Sequence, residues 1–286
     1  MPDDFFYGVD QLEASLGGFR AKTPTFYRDA RCFTLVLPAN LLVARRLVPD
    51  RRFVPAQVLP GIGAVHLTAF EYYDTDIQPY NEFAIGILVN APHFQQVPGY
   101  NMLRQLLQNS FYTYIHHLPV TTEVALRGGI DLYNYPKFMA GIEFSDTPEW
   151  ITCDLKEGED LICSVRGRKI PATRSAVMKY ICHLFQYQQP QCAEFKMNAR
   201  QYAQTLGYGN AELEIGTSHP YALELKSLLI SDRPFMYIYV PSMQAILYGP
   251  EHLSLASFGF FMEQGFGISL DELKALVEAK RTRKKE

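Results

Sequence analysis

The chain has 286 residues and a formal net charge of −3, from 27 Lys and Arg against 30 Asp and Glu. With 48% hydrophobic and 20% charged residues, its composition is globular and excludes intrinsic disorder. It also lacks the basic excess of a nucleic-acid binder or of a body that docks on anionic membranes. No stretch approaches the roughly 20 apolar residues of a membrane span. Met1-Pro2-Asp3-Asp4-Phe5-Phe6 has no basic region followed by an apolar run, so it is no signal peptide. The expectation is a cytoplasmic protein with no nucleic-acid or membrane partner.

Aromatic residues make up 13% of the chain, with 19 Phe and 18 Tyr against a single Trp, and these types fit a pleated, half-buried surface. The 19 Gly and 18 Pro, spread along the chain, suit many turns between short strands. Cys32, Cys153, Cys163, Cys182 and Cys192 are odd in number and none pair at CxxC spacing. Buried, reduced thiols are therefore expected rather than a disulfide framework or structural zinc.

In chain order, residues 1–22 read as a lead-in segment broken at Gly17-Gly18. Cys32–Pro38 reads as a short strand ending at the proline, and Ala39–Val48 as a short helix stopped by Pro49. Ala64–Tyr73 and Glu82–Val89 are strand candidates. Tyr100–Gln108, with Met102, Leu103, Leu106 and Leu107, has helical spacing. Tyr112–Leu118 and Thr122–Leu126 read as extended, and Arg127-Gly128-Gly129 as a turn. Ile142–Phe144, Trp150–Leu155 and Asp160–Arg166 read as antiparallel strands, with a hairpin turn at Glu157-Gly158. Ala172–Phe185 is ambiguous, with a helix after Pro171 as one reading. Glu194–Met197, Ala211–Ile215, Tyr221–Leu228 and Phe235–Val240 read as further strands. Ser269-Leu270-Asp271-Glu272 forms a capping box for a C-terminal helix over 268–286 that ends in a basic, frayed tail. The unbroken strand-turn rhythm predicts one domain over 1–286, mainly β with peripheral helices.

The stretch that carries chemistry is Gly129-Ile130-Asp131-Leu132-Tyr133-Asn134-Tyr135-Pro136-Lys137-Phe138. Lys137 sits among aromatic residues. A low-dielectric pocket disfavours the ammonium form, and a neutral amine attacks a ketone to give a Schiff base. Pro136 stiffens the turn that would aim the side chain. The plainer reading of a lysine beside aromatics is a snorkelling side chain with its head in water.

This stretch resembles the acetoacetate decarboxylase family, whose Schiff-base lysine follows a Gly-x-acidic-Leu-x-x-x-Pro segment. Gly129, Asp131, Leu132, Pro136 and Lys137 fall in place. Phe33–Pro49, ending in Arg45-Arg46-Leu47-Val48-Pro49, is similar to that family's first strand and helix. Phe70-Glu71 and Tyr80-Asn81-Glu82 are similar to its two segments bearing active-site glutamates. Gly216-Thr217 and Arg233-Pro234 match its C-terminal barrel segment more loosely. The resemblance implies a closed antiparallel β-barrel with Lys137 inside as the imine-forming residue, and Glu82 and Glu71 lining the same pocket. It also implies a small oxo-acid substrate, no external cofactor and a homo-oligomer. The implied reaction is decarboxylation of a 3-oxo acid. Aldol–dehydration through the same imine is the alternative enzyme, and a non-catalytic small-ligand barrel the alternative of another class.

Three features depart from the family pattern. Phe138 stands where the family decarboxylase has a second lysine, so desolvation alone must activate Lys137; acetoacetate decarboxylase is itself a standard example of a lysine activated by its surroundings. The pocket arginine aligns near Ala30, leaving Arg28 or Arg31 to bind a substrate carboxylate. The span from Glu82 to Tyr114 is longer and carries the helix around Leu103, which would cover the pocket mouth.

Other candidates carry blander readings beside their functional ones. Tyr133 and Tyr135 share a strand face if that piece is extended, and would then pack in the barrel or touch substrate. His116 would polarise a substrate carbonyl if it points inward; a hydrogen-bonded structural histidine is the plainer reading. His116 and His117 are adjacent, and neighbours on a strand face opposite ways, so they do not readily share a metal. His66 in its strand reads as structural, His219-Pro220 as a turn, and Asp74-Thr75-Asp76 as a solvated turn rather than a calcium loop. No HExxH, CxxC, GxSxG or Walker A sequence occurs, so no metal is expected.

Overall fold

The computed structural model describes residues 4–16, 19–91, 97–186 and 189–252. The expected C-terminal helix and basic tail lie outside the described residues. A short hairpin, β1 (Leu12–Leu16) and β2 (Phe19–Thr23), leads into the long strand β3 (Thr25–Asn40). Next come α1 (Leu41–Leu47), β4 (Gln57–Leu59), β5 (Ile62–Thr75), β6 (Tyr80–Leu88), α2 (Tyr100–Gln108) and β7 (Ser110–His117). Then follow α3 (Glu123–Tyr133), β8 (Gly141–Asp146), β9 (Trp150–Glu157), β10 (Asp160–Arg168), β11 (Arg174–Gln186) and β12 (Gln189–Leu206). The described chain ends with β13 (Ala211–Ile215), α4 (Pro220–Leu228), β14 (Met236–Leu247) and β15 (Glu251–His252).

Seven strands, in the order β11-β7-β6-β5-β3-β14-β12, close into a barrel because β12 pairs back onto β11. The resemblance implied an antiparallel barrel. Six of the seven seams are antiparallel, and the β7–β11 seam is parallel. Parallel neighbours need a long crossover, and the span 118–173, holding α3 and β8–β10, supplies it.

A second sheet, β13-β10-β9-β8, lies on the outside of the barrel. Its Ile151, Cys153, Leu155, Ile162 and Val165 pack on Phe33, Leu35, Leu67, Ile85 and Ile87 of the barrel wall. The barrel strands are thus apolar on both faces, and each fully buried Leu or Ile in this layer contributes roughly 1.5–3 kcal/mol. Along β5, Val65, Leu67 and Ala69 face that outer layer, while His66, Thr68, Phe70 and Tyr72 face the barrel interior.

Four local expectations are corrected. β3 continues through Pro38 to Asn40. Its partner β14 begins at Met236, opposite Val36, so Pro38 sits on a local edge where a missing N–H breaks no ladder. Thr122–Gly129 is not a strand and turn but the start of α3, with the Thr122 side chain capping by accepting from the Ala125 N–H. Residues 172–185 form β11, not a helix: Met178, Tyr180, Cys182 and Leu184 step inward at period two. Tyr221–Leu228 is helix α4, started by Pro220 in its first turn and capped by the His219 ring, which accepts from the Tyr221 N–H.

Candidate active site

The barrel interior holds a cavity of about 70 Å³. That is room for roughly five waters, and so for a ligand of few non-hydrogen atoms. Its wall includes Tyr27, Phe70, Tyr72, Tyr135, Cys182 and Phe195, and Lys137 and Glu82 stand together in it.

Lys137 reaches this place through two local devices. After α3, Asn134 adopts the left-handed conformation (φ 58°) and reverses the chain. The Lys137 N–H then donates to the Tyr135 carbonyl at 2.8 Å, a three-residue turn centred on Pro136. Beyond it the chain runs extended beside residues 118–120, with Val120 N–H on the Phe138 carbonyl and Ala140 N–H on the Val120 carbonyl. Extended backbone alternates sides, so Lys137 points in and Phe138 points out. The lysine stem also lies against α3 at Gly129, where a Cβ would overlap its Cδ and Cε. That close approach explains a glycine in the middle of a helix, where glycine costs about 0.5–1 kcal/mol relative to alanine.

The Lys137 Nζ donates to Glu82 Oε2 at 2.6 Å, and the two side chains are only 4% and 10% exposed. Nζ also sits 5.6 Å from the Tyr80 ring centroid and 5.9 Å from that of Tyr135. Glu82 accepts longer hydrogen bonds from the hydroxyls of Tyr72 (3.3 Å) and Tyr80 (3.4 Å), and Tyr27 meets Tyr80 at 3.3 Å. Burial first, and the Glu82 charge second, push the Tyr72, Tyr80 and Tyr27 phenols well above their ordinary range. All three stay protonated donors. Burial likewise pushes the Cys182 thiol, beside Tyr135, up to about 12, so it is no nucleophile.

Farther along the barrel, His66 Nδ1 meets the Thr68 hydroxyl at 3.1 Å and Nε2 meets Thr113 at 2.9 Å, while Thr68 meets Thr34 at 3.0 Å. Burial lowers the His66 imidazolium to about 4. Beyond this polar layer is a second cavity of about 50 Å³, lined in part by Met102, Gln105 and Leu106 of α2. The helix expected around Leu103 therefore closes one end of the barrel.

Several residues assigned to the site lie elsewhere. Glu71 is one position from Phe70 on β5 and so faces outward, 2.6 Å from Arg31, which also holds Asp146 at 2.7 Å. Arg28 pairs with Asp76 at 2.6 Å. Neither arginine lines the cavity, and among the described residues no arginine does. Phe138 packs outside, 5.1 Å from Tyr221 between ring centroids. Tyr133 is a helical residue whose hydroxyl hydrogen-bonds Thr25 at 2.8 Å; it anchors α3 rather than lining the cavity. Of the tyrosine pair only Tyr135 reaches the wall. His116 also misses the cavity. It is the extra residue of a β-bulge, since Ile115 pairs with Gly86 and His117 with Ile85. The bulge turns His116 and His117 to the same side, with ring centroids 4.2 Å apart. Sequence reasoning missed Tyr27, Tyr72, Cys182 and Phe195. For Tyr72 the signal was strand parity: it is two residues from Phe70, the partner of Glu82, and so shares the face of Glu82.

The family model for acetoacetate decarboxylase (ADC) matches residues 17–228. The chain belongs to the acetoacetate decarboxylase family. Solved structures of the same fold include an acetoacetate decarboxylase from Legionella pneumophila, at 12% identity and TM-score 0.57, covering 87% of this chain and 93% of that one. The enduracididine biosynthesis enzyme MppR, complexed with the condensation product of pyruvate and imidazole 4-carboxaldehyde, is similar at 11% identity and TM-score 0.55, covering 86% and 98%. An acetoacetate decarboxylase-like enzyme from Sphingomonas wittichii RW1 is similar at 13% identity and TM-score 0.53, covering 84% and 97%. No curated protein matches the sequence. Among the described residues, no helix of this family member is long and apolar enough to cross a membrane.

Proposed function

We propose that the chain is a Schiff-base-forming carbon–carbon lyase that decarboxylates a small 3-oxo acid through Lys137. The supporting observation is the buried Lys137–Glu82 pair in an aromatic-walled cavity inside the barrel of a family whose name-giving activity is this one. Attack needs the free amine, and Glu82 is the acceptor within proton-transfer distance of Nζ. A proton moving from Nζ to Oε2 converts two buried charges into two neutral groups.

The amine then adds to the ketone, and water leaves to give a protonated imine. The bond from the α-carbon to the carboxylate breaks, and its electron pair moves to the imine nitrogen, giving a neutral enamine and CO₂. The departing water carries off the proton that Glu82 took from Nζ, so Glu82 first regains a proton from solvent and then delivers it to the enamine carbon, which regenerates the imine. Water then hydrolyses the imine to the product ketone and free lysine. Among the described residues no arginine lines the cavity to meet the substrate carboxylate. That carboxylate would lie in an apolar space near Glu82, and loss of CO₂ discharges it.

Aldol–dehydration is the second reading. The MppR complex holds a pyruvate condensation product in a barrel of similar coverage, and Phe138 replaces the second lysine and packs outside the wall.

The test is borohydride trapping with a panel of 2-oxo and 3-oxo acids, read by peptide mass spectrometry, with CO₂ release measured on the same panel. A reduced adduct on Lys137 together with CO₂ from a 3-oxo acid is the expected result. An adduct without CO₂ turns the assignment to aldol chemistry. No adduct on Lys137 with any acid overturns the lyase reading in favour of a ligand-binding barrel.

A further inference from the structure

On the outside of the barrel, away from the Lys137 cavity, two imidazoles and one carboxylate converge. The bulge at the end of β7 brings the His116 and His117 rings to one side, and Glu224 reaches them from α4. Both Nε2 atoms lie 2.8 Å from the same carboxylate oxygen, Oε1 of Glu224. The three ligand atoms all fall within 4.8 Å of one another, and the side chains are partly buried.

The geometry points to a divalent transition-metal site, with zinc as the fitting ion, formed by His116, His117 and Glu224. Zinc bonds to imidazole nitrogen and carboxylate oxygen are about 2.0–2.2 Å, so tetrahedral ligands stand roughly 3.3 Å apart. Both Nε2–Oε1 separations are 2.8 Å, shorter than that, so an ion would require Glu224 to draw back from the rings. The donor set separates this site from those of hard cations: calcium and magnesium take oxygen ligands, whereas imidazole suits zinc, copper and nickel. Each imidazole would bind as the neutral tautomer with its proton on Nδ1, so the ion takes the place of the Nε2–H···Oε1 contacts. Glu224 is the most exposed of the three, at 32% against 12% and 14% for His116 and His117.

Two further observations fit a built site. A bulge is what two adjacent strand residues need in order to act together. The shared carboxylate also comes from a different element, so the ion would tie α4 to the barrel wall. The rings around it continue inward: His117 packs at a tilt on Tyr221 with centroids 4.1 Å apart, and Tyr221 packs on Phe138 at 5.1 Å. The clamp therefore buttresses the segment that carries Lys137 without contributing an atom to its cavity.

The test uses the untagged full chain, stripped with chelator, and titrated with Zn²⁺ against a chromophoric competitor. Co²⁺ is added separately and followed by its visible absorption. The expected result is one Zn²⁺ per chain, a Co²⁺ spectrum of low coordination number, and a rise in melting temperature with Zn²⁺. H117A and E224Q are expected to weaken Zn²⁺ binding at least about 100-fold, with borohydride trapping on metal-free Lys137 unchanged. E224Q keeps an oxygen acceptor for both rings, so it decides the matter if H117A fails to fold. Absence of stoichiometric Zn²⁺ binding by the wild type overturns the site, as does equal binding by wild type and E224Q.

Discussion

Glu82 and Glu71 are carboxylates on adjacent strands, one register step apart: Glu82 pairs with Phe70, and Glu71 with Asn81. Each holds a cation at 2.6 Å, Lys137 for Glu82 and Arg31 for Glu71. Strand parity alone sends one into the barrel and the other out. Inside, the pair is met by the Tyr72 and Tyr80 hydroxyls and lies near the Tyr80 and Tyr135 rings. Outside, Glu71 is 22% exposed and belongs to a chain of charges running through Arg31 and Asp146 to Lys169. A buried pair adds little net stability, because desolvating both charges offsets their attraction, yet removing one partner is costly. A solvated network loses little when any member goes. Stability alone therefore does not account for the inner pair, whereas the outer charges bridge the barrel strands β3 and β5 to Asp146 and Lys169 of the crossover.

The sharpest way to break this comparison is K137M. Imine trapping is expected to vanish, while CD and size-exclusion profiles remain native. Leaving Glu82 buried without its cation should cost about 3–5 kcal/mol by urea denaturation. The double variant K137M/E82Q should recover most of that loss. Equal stability of the single and double variants would mean the inner pair is not a coupled unit.

E82Q comes next. It keeps the size and a hydrogen-bond acceptor but removes the proton acceptor. The rate of imine formation should fall by about 10²–10⁴. G129A follows at roughly 10², because the added methyl must push the Lys137 stem aside. Helix propensity favours alanine by up to about 1 kcal/mol, so activity and stability can move in opposite directions. A G129A enzyme with unchanged trapping would show that the lysine needs no such cradle.

The interior also differs from the exterior in how it answers to acid. Burial lowers His66 to about 4 and His183 to about 3. Both are therefore neutral when folded and take up a proton on unfolding near pH 6.5 and below. The unfolded state binds more protons in that window, so stability falls as pH drops from about 6.5 towards 4. At pH 5 each contributes a loss of about 2 kcal/mol relative to pH 7. H66Q should flatten the pH 5–7 stability profile by about that amount. An unchanged slope would mean that water or a proton reaches His66 in the folded barrel.

These results also show where the sequence could be read and where it could not. Lys137 and Glu82 were recognisable because Pro136-Lys137 and the Tyr80–Glu82 block are local strings, and a turn or a strand end can be read locally. α1, α2 and the β8–β10 strands were legible through periodicity and turn residues for the same reason. Glu71 was misplaced because its face depends on register with β6, a relation between strands 11 residues apart. Alternation could not reveal it, since β5 is apolar on both sides. Arg28 and Arg31 were misassigned because their partners, Asp76 in the turn after β5 and Asp146 on β8, are distant in sequence. Gly128-Gly129 read as a turn because the reason for glycine in α3 is a side chain eight residues later. The His116–His117 convergence needed the bulge, which exists only in the pairing of two strands.

The smallest expected effect tests the comparison hardest. E71Q removes a carboxylate of the same type, from the strand next to Glu82 and with the same cation distance. If parity decides function, its imine trapping should stay within about threefold of wild type, and its stability should fall by no more than about 1 kcal/mol. The loss should shrink further at high salt, because exposed pairs are screened with a Debye length of about 3 Å at 1 M. Arg31 keeps Asp146 as a partner when Glu71 is neutralised, so no uncompensated charge is left. Tyr73 loses a charged acceptor for its hydroxyl but remains exposed to water, which replaces it. An E71Q enzyme as impaired as E82Q would show that the outer network reaches through the wall to the inner pair, and that the two faces of the barrel are not independent.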